Sequence, residues 1–582
     1  MKKNINKLFC SQDTTIREVL EKFDNASKFN LPSGIGIFVD KQLKLRGVIT
    51  DGDVRRALLK GANLETMASD YMTKSPIVFS SDLSMSEILE RLPHELNSRS
   101  RRSEKFLDKV VIINDKKNPI KIIGYHELWE QKVAIHRNIS IIGMGYVGLT
   151  LALVMADSDF KIVGVDADNK KIQQLQNGNS YVFENGLPEL LKENLNKNLR
   201  LSSKIPVSDV FIISVGTPVN NLSKGNPTPN MAYLKKACKE VASKLSLGNL
   251  VVLRSTVPIG TSRTFVKPIL EKISGLVCGI DFYLSFAPER TAEGSAIKEL
   301  RSLPQIIGGY NHDSVKVTSA IFRDITSTIV TVDSLEEAEM VKLINNSFRD
   351  YSFAFSNQVA RIASKFNINS HKLIRYSNKG YVRDPLPLPS PGVGGPCLTK
   401  DPYIFSFVDK DVSLKYKLFL NGRKVNESMH RFVADHAINA IKFVNKEKNK
   451  LSILFCGLAF KGSPETADIR NSSSIEIVRL FKKKNYSLFG YDAVTPKEDV
   501  ISLGLKYHDI KKGFKGFDLV MFLNNHNSFR NINIYKMVSS MNNNPIIFDG
   551  WALFESKDIL SVKPSVYLGL SNFEESINKE KS

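Results

Sequence analysis

The chain of 582 residues is poor in cysteine, with five, at 10, 238, 278, 397 and 456. The number is odd and no two share metal-ligand spacing, so no disulfide framework and no metal site is expected. A reducing cytoplasm is the expected compartment. No apolar run reaches the ~20 residues of a membrane-spanning helix. The first ten residues carry lysines but no sustained apolar stretch, so no secretory leader is expected. Acidic residues are scarce beside basic ones, 60 Asp and Glu against 81 Lys and Arg, a net charge of +21. The excess is mostly lysine spread along the chain, which reads as a solvated surface. No aromatic side chains interleave with it, so nucleic acid is not an expected partner. One basic cluster, residues 98–105, reads as an exposed loop.

Hydrophobic content of 42% and charged content of 24% fit a globular protein. The length exceeds what one core supports, so three or four domains are expected.

What is present begins with Gly143-Met144-Gly145-Tyr146-Val147-Gly148. The apolar run Ile139–Ile142 precedes it and reads as a buried strand; Leu149–Ala156 follows and reads as a helix. Gly143 permits the tight turn, Gly145 lets a pyrophosphate approach the backbone, and Gly148 allows close helix–strand packing. A second apolar run ends in Asp166, placed to bind ribose hydroxyls and repel a 2′-phosphate, so NAD is the expected cofactor. Two further strands end in turns at Thr217 and near Thr256, and both turns are expected to line the cofactor.

The second signal is Gly392-Val393-Gly394-Gly395-Pro396-Cys397-Leu398-Thr399-Lys400-Asp401. Glycines let the backbone pass close to a ligand. A thiol next to a lysine suits a nucleophile, because Lys400 favours the thiolate. Lys342 and Asn346 stand four apart and share one helix face. Lys461 and Arg470 supply positive charge for a diphosphate, and Arg470 can fork onto its oxygens.

The N-terminal part has its own pattern. Gly34–Asp40 and Lys44–Thr50 read as strands and Asp51–Leu59 as a helix. The segment resembles a CBS domain, with Gly47, Thr50 and Asp53 at the nucleotide-ribose signature. A weaker second copy runs through Tyr71–Val78, Val110–Asp115 and Ile122–Leu128 and lacks the signature Thr and Asp. The resemblance implies an adenine nucleotide held by Thr50 and Asp53; a degenerate pair that only packs is the alternative.

Residues 137 to about 570 resemble the UDP-glucose/GDP-mannose dehydrogenase family. Pro288–Gly294, Glu339–Arg349 and Phe460-Lys461 with Asp468–Ser472 carry the likeness beside the two glycine motifs. The implied fold is α/β: two Rossmann-like doubly wound domains joined by a central helical region and preceded by an α+β CBS pair. The expected boundaries are 1–134 for the CBS pair, 137–330 for the NAD-binding domain and 331–445 for the central helices. A UDP-sugar-binding domain is expected over 446–572, with a tail over 573–582. The implied reaction is NAD-dependent, four-electron oxidation of a sugar C6 alcohol to the uronic acid, through a thiohemiacetal and a thioester on Cys397. The resemblance assigns Lys342 and Asn346 to oxyanion stabilisation, Asp401 to orienting Lys342 or a water, and Glu289 to acid–base steps. It sets Thr256, Glu293 and Lys171 about the cofactor, and Gly394 and Arg383 about the sugar nucleotide, Arg383 reaching a partner subunit in a homo-oligomer. The Pro288–Arg290 and Asn346–Asp350 motifs favour UDP-N-acetylmannosamine or UDP-N-acetylglucosamine, as in bacterial surface polysaccharide synthesis. Pro396 and Lys400 depart from that branch, and Lys400 is shared with UDP-glucose dehydrogenases. UDP-glucose and GDP-mannose stand behind, and a catalytically silent nucleotide sensor is the rival from another class.

Overall fold

The computed structural model describes residues 5–83 except 30, the single residues 88, 91 and 95, and 109–124, 138–220, 227–407, 418–444 and 451–576. The basic cluster at 98–105, the segment 125–128, the polar stretch 445–450 and the last residues, 577–582, lie outside them.

The N-terminal module holds two three-stranded sheets of one design. In the first, β1 (Phe9–Cys10) runs parallel to β2 (Ile35–Val39), which is antiparallel to β3 (Leu45–Thr50). In the second, β4 (Val78–Ser80) runs parallel to β5 (Lys109–Ile113), antiparallel in turn to β6 (Pro119–Gly124). Ile35, Ile37 and Val48 of the first sheet share a core with Val111 and Ile122 of the second. The second copy thus keeps the strand pattern though it lacks the signature residues. Helix α1 (Ile16–Asn25) packs against the first sheet and α2 (Asp51–Leu59) follows β3.

An eight-stranded sheet comes next. Its strands are β7 (Asn138–Ile142), β8 (Lys161–Val165), β9 (Leu199–Ser202), β10 (Val210–Ile213), β11 (Leu250–Leu253), β12 (Tyr283–Phe286), β13 (Gln305–Gly309) and β14 (Ile329–Val332). Their order is β14-β13-β12-β11-β10-β7-β8-β9, parallel except between β12 and β13. Every residue of β10 and β11 is buried, as expected of parallel strands covered on both faces. The chain leaves β7 toward β8 and returns on its other side at β10, so the topological switch opens a crevice at their carboxyl ends. Helix α3 (Tyr146–Asp157) starts there; it is apolar all round and buried from Gly148 to Ala156. The sheet ends at Val332, two residues past the expected boundary.

The centre is helical. The 30-residue α4 (Leu335–Ser364) is capped by Ser334, whose hydroxyl accepts from the Glu337 N–H. After α5 (Ser370–Asn378) come the glycine–cysteine loop, the short α6 (Asp401–Phe407) and α7 (Leu418–Phe443), which packs along α4.

A seven-stranded sheet closes the chain: β15 (Ser452–Cys456), β16 (Ser487–Tyr491), β17 (Lys506–Tyr507), β18 (Leu519–Phe522), β19 (Ile546–Asp549), β20 (Val566–Gly569) and β21 (Phe573–Glu575). The order β17-β16-β15-β18-β19-β20-β21 again puts a switch beside the first strand. Residues 573–575, expected in a frayed tail, instead form the edge strand, antiparallel to β20. Their pairing satisfies backbone groups that polar composition alone does not assign. Among the described residues no helix is long and apolar enough to cross a membrane.

Candidate active site

The cofactor cradle follows from backbone sterics. Gly143 has φ +98°, and a Cβ there would stand 2.8 Å from the Ser214 carbonyl oxygen after β10. A Cβ on Gly148 would stand 1.8 Å from the Gly143 carbonyl oxygen, so only glycine lets α3 sit this close. Gly145 caps α3 with no side-chain acceptor, and nothing lies within 4 Å of a Cβ built on it or on Gly216. The first-turn N–H groups of Tyr146 and Val147 therefore face open space between two glycine turns, the shape and polarity of a phosphate site. Asp166 accepts from Met144 N–H at 2.9 Å, and Lys171 approaches it to 4.0 Å. The Thr217 hydroxyl donates to the Thr256 carbonyl, tying the two turns together. These residues fit NAD. The Tyr146 hydroxyl donates to Glu184, which also accepts from Gly294 and Ala296 N–H.

Cys397 stands on the turn before α6, with its carbonyl accepting from Lys400 and Asp401 N–H at 3.0 and 2.9 Å. Asp401 is fully buried. One of its oxygens accepts from Asn346 Nδ2 at 2.5 Å, the other from Lys400 Nζ at 2.6 Å. Lys342, one turn before Asn346 on α4, donates to the Glu289 carbonyl at 2.5 Å. Lys342, Lys400 and Asp401 thus act on the thiol from two segments, and Asn346 joins them through Asp401.

The surroundings of the thiol, burial first, do not favour the thiolate as the sequence suggests. Crowding by protein raises the Cys397 thiol above its usual value, and Asp401 and Glu293 add to this, against Lys342 and Lys400. Cys397 is exposed to solvent, which weakens the first of these causes. Lys400 is already paired with Asp401, so it offers the sulfur little net positive field.

Three assignments change. Glu289 is expected as an acid–base, but its buried carboxylate pairs with buried Arg254 and accepts from Arg290 and Thr291 N–H at 2.7 and 2.8 Å. Burial alone would raise its pKa; the charges of Arg254 and Lys342 overcome this and hold it below the usual range. A carboxylate so satisfied has no free oxygen for proton transfer, and only its carbonyl meets the site. Glu293, expected at the cofactor, instead reaches the third domain. Its carbonyl accepts from Lys461 at 2.6 Å, and its carboxylate lies 3.4 Å from Thr466 Oγ1 and 3.7 Å from Arg470. Burial, with Asp468 adding, pushes its pKa up to about 7. Gly394, expected to admit substrate, is needed for packing, since a Cβ there would stand 2.5 Å from the Asn471 carbonyl oxygen.

Two cations are less free than expected. Arg470 turns its fork on Asp468, at 2.9 and 2.5 Å. Lys461 is held by the Glu293 carbonyl, and burial lowers its pKa. Arg383 is exposed on the loop before the glycines and, among the described residues, makes no hydrogen bond or ion pair with this cluster. In the N-terminal module Thr50 and Asp53 bond each other: the Thr50 hydroxyl donates to the Asp53 carboxylate at 2.7 Å and accepts from its N–H, which caps α2. Arg56 pairs with the same carboxylate at 2.6 Å.

Three models of the UDP-glucose/GDP-mannose dehydrogenase family match in order: the NAD binding domain over 137–326, the central domain over 336–428 and the UDP binding domain over 454–556. The chain belongs to this family. A CBS domain matches residues 1–60. A UDP-N-acetyl-D-mannosamine dehydrogenase of Pyrococcus horikoshii is 31% identical over 417 residues, 71% of this chain and 94% of that protein. The solved structure of the UDP-N-acetylmannosamine dehydrogenase from that organism aligns with a TM-score of 0.66 at 30% identity, covering 75% of this chain and 99% of the other. The corresponding Staphylococcus aureus enzyme aligns at 0.64, with 30% identity and 75% and 99% coverage. This member of the family is an NAD-dependent oxidoreductase with a CBS domain at its N-terminal end.

Sequence reasoning missed Arg254, the buried partner of Glu289, and the pair Asp350–Arg423 behind the cysteine loop. A charged residue inside an apolar helix face was the signal available for Asp350 and Arg423. Arg254 gave none, because its partner lies 35 residues away.

Proposed function

We propose that this enzyme oxidises the C6 alcohol of a UDP-N-acetylhexosamine, UDP-N-acetylmannosamine first, to the uronic acid. The observation that carries the chemistry is the solvent-open Cys397 with Lys342, Asn346, Lys400 and Asp401 gathered about it. The named relatives favour the N-acetylmannosamine substrate. NAD, when bound at the Gly143–Gly148 cradle, would supply the hydride acceptor, one molecule for each of the two oxidations in turn. Lys342 and Asn346 hold the developing oxyanions as preorganised donors. Cys397 adds its sulfur to the aldehyde, giving a thiohemiacetal; its oxidation leaves a thioester, which water hydrolyses to the acid and the free thiol. The Cys397 proton leaves to a base as the C–S bond forms. Glu293 suits that transfer and the activation of water, since it lies close enough for its charge to act on the Cys397 thiol and its raised pKa lies near neutral pH.

Lys461 and Arg470 bind the diphosphate once Arg470 exchanges Asp468 for it. The active unit is a homodimer. An apolar stripe, Met340, Ile344, Phe348, Tyr351, Phe355 and Ile362, runs along the outer face of α4, and Phe348 is 69% exposed. A second copy covering it would also bring Arg383 to a neighbouring site. The CBS pair takes an adenine nucleotide at Thr50 and Asp53, which then release each other. The enzyme works in the cytoplasm, on precursors of surface polysaccharide.

The test is NADH production against a panel of UDP- and GDP-sugars. Two NADH per UDP-N-acetylmannosamine are expected. Cys397→Ser is expected to abolish uronic acid formation with binding of NAD and sugar nucleotide intact. Full turnover by that variant rules out the covalent route. A preference for UDP-glucose moves the substrate to the reading that Lys400 favours.

A further inference from the structure

The loop that carries Cys397 has glycine at 392, 394 and 395. Each glycine adds backbone freedom that Pro391 and Pro396 at either side do not remove between them. A nucleophile on it needs an external restraint, because a misplacement of about 1 Å costs roughly 100-fold in rate. The restraint lies behind the loop, in groups that touch neither thiol, cofactor nor sugar.

Arg423 on α7 and Asp350 on α4 are each 1% exposed and pair at 2.6 Å. The Arg423 guanidinium also donates to the Val393 carbonyl at 2.8 Å and approaches the Leu398 carbonyl at 3.4 Å. One planar group thus holds the loop on both sides of Cys397. Asn426, one turn along α7, donates to both the carbonyl and the carboxylate of Asp350 at 2.8 Å. Its own oxygen accepts from Asn357 at 2.9 Å, and Asn357 accepts from the Ser390 N–H at 2.8 Å, where the loop begins. Two packed helices therefore present one rigid polar frame to a flexible segment.

We propose that the buried Arg423–Asp350 pair is a positioning device that sets the Cys397 sulfur against Lys342 and Asn346. A buried ion pair is a poor way to stabilise a fold, since apolar residues of equal volume do as well. Its use here is directional: a forked cation reaches two carbonyls and a carboxylate at once, which a lysine or an apolar side chain does not. The proposal rests on Cys397 as the nucleophile.

Arg423→Lys keeps a charge for Asp350 and loses the fork. In the full-length enzyme kcat is expected to fall roughly tenfold or more, with KM for NAD and sugar nucleotide within about twofold. Alkylation of Cys397 by iodoacetamide, followed by peptide mass, is expected to speed up, because a loosened loop carries the sulfur away from the Asp401 charge that disfavours its thiolate. Measured well below the melting transition, where the folded fraction equals that of wild type, turnover falling while alkylation rises marks a displaced loop and not destabilisation. Unchanged kcat and alkylation overturn the proposal, as does a loss of kcat and a gain in alkylation that both track the unfolded fraction. If Arg423→Lys does not fold, Arg423→Met combined with Asp350→Asn removes both charges at similar volume, and the same two readouts decide. Alkylation needs no catalysis, so full turnover by Cys397→Ser overturns the nucleophile reading separately from the positioning one.

Discussion

Glu289→Gln separates a structural carboxylate from a catalytic one. The substitution keeps the shape and the main-chain carbonyl to which Lys342 donates. It removes the charge facing Arg254, a side chain 1% exposed with nowhere to reach water. Breaking a buried pair from one side costs about 3–5 kcal/mol, because the remaining charge stays buried and unmatched. For a domain of roughly 200 residues each kcal/mol moves the melting temperature by about 2–4 °C, so a drop of about 6–20 °C is expected. Below the lowered transition kcat should stay within about threefold of wild type, since no transition-state contact is lost. The pH dependence has a definite sign. The Glu289 pKa is held below its ordinary 4.5, so its contribution is present above that value and lost as pH falls through the folded one. The gap in melting temperature between wild type and variant should therefore close in acid. Thermal melts from pH 8 down into acid below about pH 4, with NADH production at a permissive temperature, make the measurement. An unchanged melting temperature with a hundredfold loss of kcat refutes the reasoning and returns Glu289 to the chemistry.

Glu293→Gln should remove an inflection near pH 7 from the kcat profile, because the neutral form can neither accept nor return the proton; an unaltered profile assigns that step elsewhere. Gly145→Ala should leave the melting temperature within about 2 °C, since its Cβ meets nothing. The same variant should weaken NAD binding at least tenfold in calorimetry, whereas Gly148→Ala should fail to fold stably. A chain starting at Arg137 should keep its dehydrogenase activity and lose any response to adenine nucleotides, and Thr50→Ala should lose nucleotide binding measured on the intact enzyme. Unchanged binding by the latter leaves Thr50 as a helix cap alone.

Local rules made much of this protein readable from its residues. Gly143, Gly145 and Gly148 carry their meaning in backbone sterics that act within six positions. The buried runs of β7, β10 and β11 are apolar whatever their neighbours are. Thr50 and Asp53 sit at capping spacing, and Cys397 follows glycines in a contiguous loop. Lys342 and Asn346 share a face because a helix repeats every 3.6 residues. The roles that changed depend on partners far away in sequence. Glu289 is paired because β11 and the loop after β12 bring Arg254 to it, and Glu293 faces the third domain because Lys461 and Arg470 arrive from beyond residue 460. Phe573–Glu575 became a strand because β20 offered an edge to pair with. Whether a charged residue is a base, a brace or a surface group is set by what buries it and what charge lies opposite. Spacing along a chain encodes neither; only the packed tertiary structure decides them.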